Sequence, residues 1–227
     1  SFLETCQGAA RCLGRNTVGD GSIVCTTTTF KCNVTGETVT TAAQAWDPFV
    51  NVLTDGIAAS GPEEALRVVT ACVADLLGDK TAHLKPGGLK EGERQYTVAA
   101  TVMIAPGATH NVFVAQSGFP PEQIHMQIDI ERGHPGRVVR EKEPLLLANT
   151  DEHDDFQQIL KTSRMGSSMY VPMFWQGTMF GQLIAGSQAR YSYRPVDLEL
   201  MCRFADLASL LWHAHSGPDQ LAQIIAA

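Results

Sequence analysis

Apolar and polar positions change period twice along the chain, and the changes mark its elements. Residues 42–59 place Trp46, Phe49, Val50, Leu53 and Ile57 at helical spacing, which predicts an amphipathic helix ending at Ser60-Gly61. A second helix starts at Pro62-Glu63-Glu64, with Pro and acids in its first turn. Leu66, Val69, Val73, Leu76 and Leu77 line its apolar side and Gly78 ends it. Residues 79–94 are polar and predict a loop. From residue 96 the period falls to two. Val98, Ala100, Val102 and Ile104 share one strand face, and Thr97, Thr101 and Met103 the other. After the turn at Pro106-Gly107, a partner strand is predicted over 111–116.

Residues 124–130 alternate as a further strand, 135–142 read as a short helix and 144–148 as a strand. A short helix is expected around 156–160. Residues 169–175 and 178–186 flank Gln176-Gly177. That dipeptide suits a tight hairpin, because Gly177 tolerates positive φ. Gly181 and Gly186 mark places where a larger side chain would crowd a neighbour. Pro195, Asp197 and Glu199 open a last long helix, with Leu200, Phe204, Leu207 and Leu211 as its stripe. Ser216-Gly217-Pro218 breaks it. The expected division is an arm over 1–41, one domain over 42–215 and a short helical tail over 216–227.

Composition narrows the class. At 227 residues and 44% hydrophobic, the chain can bury one well-cored domain and is not disordered. No apolar run reaches the roughly 18 residues needed to span a bilayer, so no membrane segment is expected. The first residues carry no basic region, so no signal peptide is expected and the cytoplasm is the expected compartment. The formal net charge is −7, with no long basic cluster, which argues against a nucleic-acid partner.

The ordered set Ser168, Val171-Pro172-Met173, Gly177, Gly181, Tyr193, Asp197-Leu198 and Leu200-Met201 resembles the C-terminal half of a GAF domain. Upstream, the 133–139 and 143–146 segments, followed by an acidic run from Asp151 to Phe156, resemble that family's glycine–helix–strand passage. The resemblance covers roughly residues 60–213. It implies an α+β fold with a central antiparallel sheet of five to six strands and helices on both faces. It also implies a homodimer through 42–78 and 195–213, and a stand-alone sensor of a small molecule or anion that signals through a partner such as a histidine kinase or transcription regulator. One departure is Arg194 at the last helix's cap, where the family favours Ser; that predicts a loss on the order of 1 kcal/mol of capping energy.

The family's ligand pocket lies between the sheet and its middle helices. Mapped here, Phe119, His125, His134, His153, Arg164, Tyr170 and Trp175 are the candidate ligand-binding residues. Each also has a plain structural role open to it: core or hairpin aromatics for Tyr170 and Trp175, a surface charge for Arg164, helix-start packing for His134. The free N–H groups at Gly133-His134 suit an anion. Haem held by His125 or His153 stays open as an alternative.

Six cysteines are unevenly spread. Cys72 and Cys202 fall in predicted helices and read as core residues. Cys6, Cys12, Cys25 and Cys32 crowd the arm without the close pairs of a zinc ribbon or ferredoxin. Three readings stay open for them: spectators, ligands of zinc or an iron–sulfur cluster, or a thiol–disulfide switch beside Arg11, Arg15 and Lys31. A last alternative is enzymatic. Free methionine-R-sulfoxide reductase is a GAF domain with catalytic cysteines over its pocket, but residues 79–201 contain no cysteine. The expectation is therefore a binding protein and not an enzyme.

Overall fold

The computed structural model describes residues 42–154, 159 and 164–226, with side chains from residue 47. The expected arm with its four cysteines, the side chain of Trp46 and the helix expected around 156–160 lie outside the described residues.

Six antiparallel strands form one sheet: β1 (Thr97–Ile104), β2 (His110–Ser117), β3 (Gln127–Asp129), β4 (Leu145–Leu147), β5 (Ser167–Trp175) and β6 (Thr178–Ser187). Their order is β3-β2-β1-β6-β5-β4. The fold is α+β, as the alternating patterns predict. The β5–β6 hairpin turns at Gln176 and Gly177, whose φ values of 49° and 79° match the positive-φ pair that a two-residue hairpin needs. A Cβ at Gly181 would lie 2.7 Å from the Val102 carbonyl oxygen, and one at Gly186 would lie 3.0 Å from Met165. Both glycines therefore permit close approach between neighbouring elements.

The sheet is buried on both faces. Against one face lie α1 (Ala42–Ile57), α2 (Pro62–Leu76), α4 (Pro195–Ala214) and α5 (Gly217–Ala226). This larger core gathers Leu66, Val69, Met103, Met169, Leu183 and Phe204. Against the other face lies α3 (Gly133–Glu141), over a smaller core of Val98, Val102, Phe113, Tyr170 and Ile184. Strand alternation divides the residues between the two. A bulge in β2 interrupts the pairing opposite Thr101 and Val102. Val114 and Ala115 thereby both join the larger core, while Asn111 keeps the same side of the sheet as Phe113.

The structure corrects two expectations. The buried side of α1 carries Phe49, Val52 and Leu53, with Phe49 stacked on Phe204 at 4.3 Å. Val50 and Ile57, placed in the stripe by the sequence pattern, are 56% and 61% exposed. In α2 Leu76 is likewise exposed. Residues 217–226, within the expected helical tail, form α5, and Leu221 is buried in the larger core.

The cap of α4 is also better made than Arg194 suggests. Asp197 accepts the Arg194 backbone N–H at 2.9 Å through one oxygen and the Gly78 N–H at 3.1 Å through the other. One buried carboxylate thus caps α4 and ties it to the end of α2, where Lys80 donates to the carbonyls of Ala74 and Leu77. Replacing Asp197 by Ala removes both links and is expected to cost about 2 kcal/mol. Asp197→Asn, which keeps an acceptor, should recover part of that. Urea unfolding of the two variants tests this, and an unchanged midpoint for Asp197→Ala would refute the linking role.

Candidate functional site

Between α3 and the sheet lies a cavity of about 50 Å³. By the usual measure of about 10–15 Å³ per water-sized probe, that is room for a few non-hydrogen atoms. Val98, Val102, Phe119, Ile128, Pro135, Met165 and Ile184 supply its apolar walls. Asn111, Ser168 and Tyr170 bring polar groups to it. No charged side chain is among its described walls.

The strands place these groups. Asn111 pairs with Ile104 of β1 and Ile128 of β3, so its side chain enters the smaller core from the middle of the β3-β2-β1 end of the sheet. Ser168 and Tyr170 lie two apart on β5 and face the same side. The Asn111 side chain sits in a residue only 1% exposed, and neither its carboxamide nitrogen nor its oxygen has a hydrogen-bond partner among the described residues. Ser168 Oγ, in a residue 2% exposed, makes no hydrogen bond of normal geometry. Its hydroxyl lies near enough to Tyr170 to favour the phenolate slightly, but burial dominates and pushes the Tyr170 pKa up to about 12. Tyr170 therefore stays a neutral phenol at physiological pH. Nearby, buried Gln182 donates to the Pro135 carbonyl at 3.0 Å, holding α3 onto the sheet.

Two of the seven sequence-predicted residues, Phe119 and Tyr170, line the cavity. Phe119 meets Phe113 edge to face at 5.4 Å. His134 is buried under α3 and stacks on Tyr170, with ring centroids 6.0 Å apart. His153 meets His134 edge to face at 6.2 Å. The other three lie elsewhere. His125, at φ 65°, reaches Glu63 at the start of α2, with Nε2 and Oε2 3.1 Å apart. Trp175 stacks on His213 of α4 at 4.1 Å. Arg164 donates to the Thr150 carbonyl at 2.8 Å and pairs with Asp151 at 3.5 Å. Asn111, Ser168, Val98, Val102, Ile128 and Ile184 are cavity residues that the choice of candidates missed. Asn111 carried a signal: it directly precedes the apolar run Val112-Phe113-Val114 and shares the inward-facing side of the strand with Phe113, where Asn is disfavoured.

A buried ion cluster fixes the chain beside the cavity. Arg190 is 3% exposed and donates to both oxygens of Glu93 and, at 2.7 Å, to Asp151. Lys90 adds a second cation on Asp151 at 2.8 Å. Next to Asp151, Thr150 donates its hydroxyl to the carbonyl of Met165 and its N–H to Gly166 at 2.9 Å. Met165 is a cavity wall, so the cluster anchors one side of the site. Hydrogen bonds from Arg190 hold the Glu93 carboxyl below its usual range. Lys90 and then Arg190 do the same for Asp151.

Among the described residues no three His, Cys, Asp or Glu side chains are close enough to hold a metal ion. Cys6, Cys12, Cys25 and Cys32 lie outside that description. Cys72 and Cys202 are free thiols on α2 and α4, packed on the larger core and so on the side of the sheet away from the cavity. Burial pushes both thiol pKa values up, which makes them poor nucleophiles. Among the described residues no helix is long and apolar enough to cross a membrane.

Among the described residues, a six-stranded antiparallel sheet, helices on both faces and a small cavity beside α3 define an α+β sandwich domain. The family model for the GAF domain matches residues 61–212, and the chain belongs to that family. It is similar in fold to the GAF domain of an Acinetobacter phosphoenolpyruvate-protein phosphotransferase, at 16% identity over 77% of this chain and 96% of that one, with a TM-score of 0.61. The corresponding Coxiella burnetii domain gives 17% identity, 79% and 99% coverage and a TM-score of 0.61. Free methionine-R-sulfoxide reductase from Neisseria meningitidis, solved with its substrate, gives 15%, 80%, 96% and 0.58. At such identities the likeness is one of fold. No curated protein sequence matches the chain significantly.

The ion cluster generates a pH prediction. Both carboxyls have folded pKa values below their unfolded ones, so their contribution is fully present above the unfolded carboxylate range, near pH 4. It is lost as pH falls through the folded values. Arg190→Met should cost about 2–3 kcal/mol near neutral pH, because it leaves two partly buried carboxylates unpaired. It should also flatten the decline of stability below about pH 4. Chemical unfolding of both proteins from pH 3 to 7 measures this; parallel pH profiles would refute it.

Proposed function

We propose that this chain is a GAF sensor domain that takes a compact small molecule into the cavity between α3 and the sheet and reports its occupancy to a partner protein. The observation that carries the reading is the cavity's mixed lining. Its walls are apolar, but the Asn111 carboxamide presents a donor and an acceptor with no partner among the described residues, and Ser168 Oγ lies beside Tyr170. A site that served only as core would leave those groups buried at a cost, since buried polar atoms are normally paired.

The sheet supplies a route for the report. Ser168 and Tyr170 face the cavity, while Met169 and Val171 of the same strand pack in the larger core with α2 and α4. A shift in β5 on binding is therefore felt by α4, which packs on that strand, and through α4 by α2. Val50, Ile57, Leu76, Val196 and Leu210 leave apolar surface on α1, α2 and α4. That surface supports association with a second copy or with a partner such as a histidine kinase or transcription regulator. The free thiols Cys72 and Cys202 fit a reducing compartment such as the cytoplasm. Their place away from the cavity favours binding over thiol catalysis.

An NMR screen of small metabolites against the full chain tests the reading. Binders should move the amide signals of Asn111, Phe119, Ser168 and Ile184. At a hundred times its Kd, a binder should add about 2.7 kcal/mol of stability. Val102→Phe, which puts a ring into the cavity, should abolish both effects. Binders that move only surface signals and ignore Val102→Phe would defeat the proposal.

A further inference from the structure

A second concavity lies at the hairpin end of the same sheet face and shares no described wall with the inner cavity. It is an open groove of about 290 Å³, where an enclosed apolar space of roughly 150 Å³ already admits a benzene ring. Ile104 at the end of β1, Ile130 after β3, Val139 on α3 and Met179 on β6 supply apolar walls. Ile104, Val139 and Met179 are half-buried. Phe174 lies opposite Met179 across the β5–β6 hairpin and is 41% exposed, so it continues the apolar surface on that side. An exposed apolar patch with a polar rim is the kind of surface that ligands cover.

Lys142 is the one charged residue on the described walls. It follows the last turn of α3 at φ 57°, a left-handed position that helices usually give to Gly. Its backbone N–H donates to the Val138 carbonyl at 2.8 Å, which fixes where the side chain starts. The neighbouring cations of α3 are already paired, Arg137 with Glu141 and Arg140 with Glu131, each at 2.9 Å. Lys142 is exposed and makes no ion pair among the described residues. It also stands at the negative end of the α3 dipole, so an anion in the groove depends on the ammonium and not on helix N–H groups.

We propose that this groove binds a small amphipathic carboxylate, its apolar ring or chain against Ile104, Val139 and Met179 and its carboxylate paired to Lys142 Nζ. The site is independent of the inner cavity and of what that cavity holds. The anion that the N–H groups at Gly133-His134 suggested is thereby assigned to the opposite end of the same helix.

Phenylacetate, phenethyl alcohol and phenethylamine carry one ring on three head groups and test this on the full chain. NMR titration follows the methyl signals of Ile104, Ile130, Val139 and Met179. Phenylacetate should shift them and leave the Asn111 and Phe119 amides of the inner cavity in place. The alcohol should bind about threefold more weakly and the amine about tenfold, the scale of one exposed charge pair. Raising the salt to about 1 M should erase the advantage of phenylacetate over the alcohol. Lys142→Gln should bind the acid and the alcohol alike. Lys142→Gly should do the same and melt no lower than the parent, since Gly suits the left-handed position; a lost preference in that variant is then not a loss of fold.

Equal binding of the three probes, or a preference for phenylacetate that survives Lys142→Gln, would overturn the charge pairing. If phenylacetate moves only the inner-cavity signals, the groove is not its site and the reading of the inner cavity survives. If dilution of the chain alone moves the groove methyls, a second copy covers the groove in place of a ligand. No methyl shift with any probe would leave the groove without a ligand role, whatever the inner cavity binds.

Discussion

Strands β1, β5 and β6 have no solvent-facing side over most of their length. Every side chain from Val98 to Met103 is buried, and so is every one from Ser167 to Met173. A sheet placed this way cannot trade one face against the other, because its period of two assigns each residue to a fixed core. The helices follow from that assignment. The wider apolar face, with Met103, Met169, Met173 and Leu183, takes α2 and α4. Among the described residues the narrower face takes α3, of nine residues, with Phe119 and Met165 beside it. The cavity lies on this side, next to Pro135 of α3.

The ion cluster joins three loop segments beside that cavity. Glu93 comes from the loop before β1, Asp151 from a one-turn helix after β4, and Arg190 from the chain leaving β6. Loops bury few apolar groups, so charge pairing has to hold them. A buried guanidinium is costly to desolvate, and its three hydrogen bonds to two carboxylates offset the cost only while all remain in place. The cluster therefore gives registry more than net stability. It sets where Thr150 lies, and Thr150 fixes Met165 through two hydrogen bonds to the adjoining backbone. The cavity wall inherits its position from ion pairs that never touch the cavity.

The sequence pattern was sufficient for the architecture because each strand and helix carries its own period. The Gln176-Gly177 turn, the helix starts at Pro62 and Pro195 and all six strands could be read from local residues alone. The phase of α1 could not. Val50, Val52, Leu53 and Ile57 spread apolar groups around much of that helix, and only packing against Phe204 selects Phe49 and Val52 as the inner side. The site was legible in part. Tyr170 and His134 fell in the right place because the aromatic groups of a strand's inner face and of a covering helix meet under that helix, and Phe119, in the turn just after β2, folds back onto Phe113 of that strand. His125, Arg164 and Trp175 were chosen for their chemistry, and the fold pairs each with a partner outside the cavity: Glu63, the Asp151–Thr150 segment and His213. Periodicity tells which residues point inward; it does not tell where packing leaves a void.

Polar residues within an apolar pattern are the part of the sequence that could have located that void. Gln182 and Asn111 both interrupt apolar strands and both face the smaller core. They differ in what meets them. Gln182 spends its amide N–H on the Pro135 carbonyl and so fastens α3. Asn111 stands on the far side of β1, where no such backbone group among the described residues reaches its amide. One buried amide explains how the covering helix is held, and the other is left facing the space beside it. A fold that needed only stability would gain by replacing Asn111 with Leu or Val, as most core positions of these strands already do. Keeping a hydrogen-bonding edge there is understandable when something enters the cavity to use it.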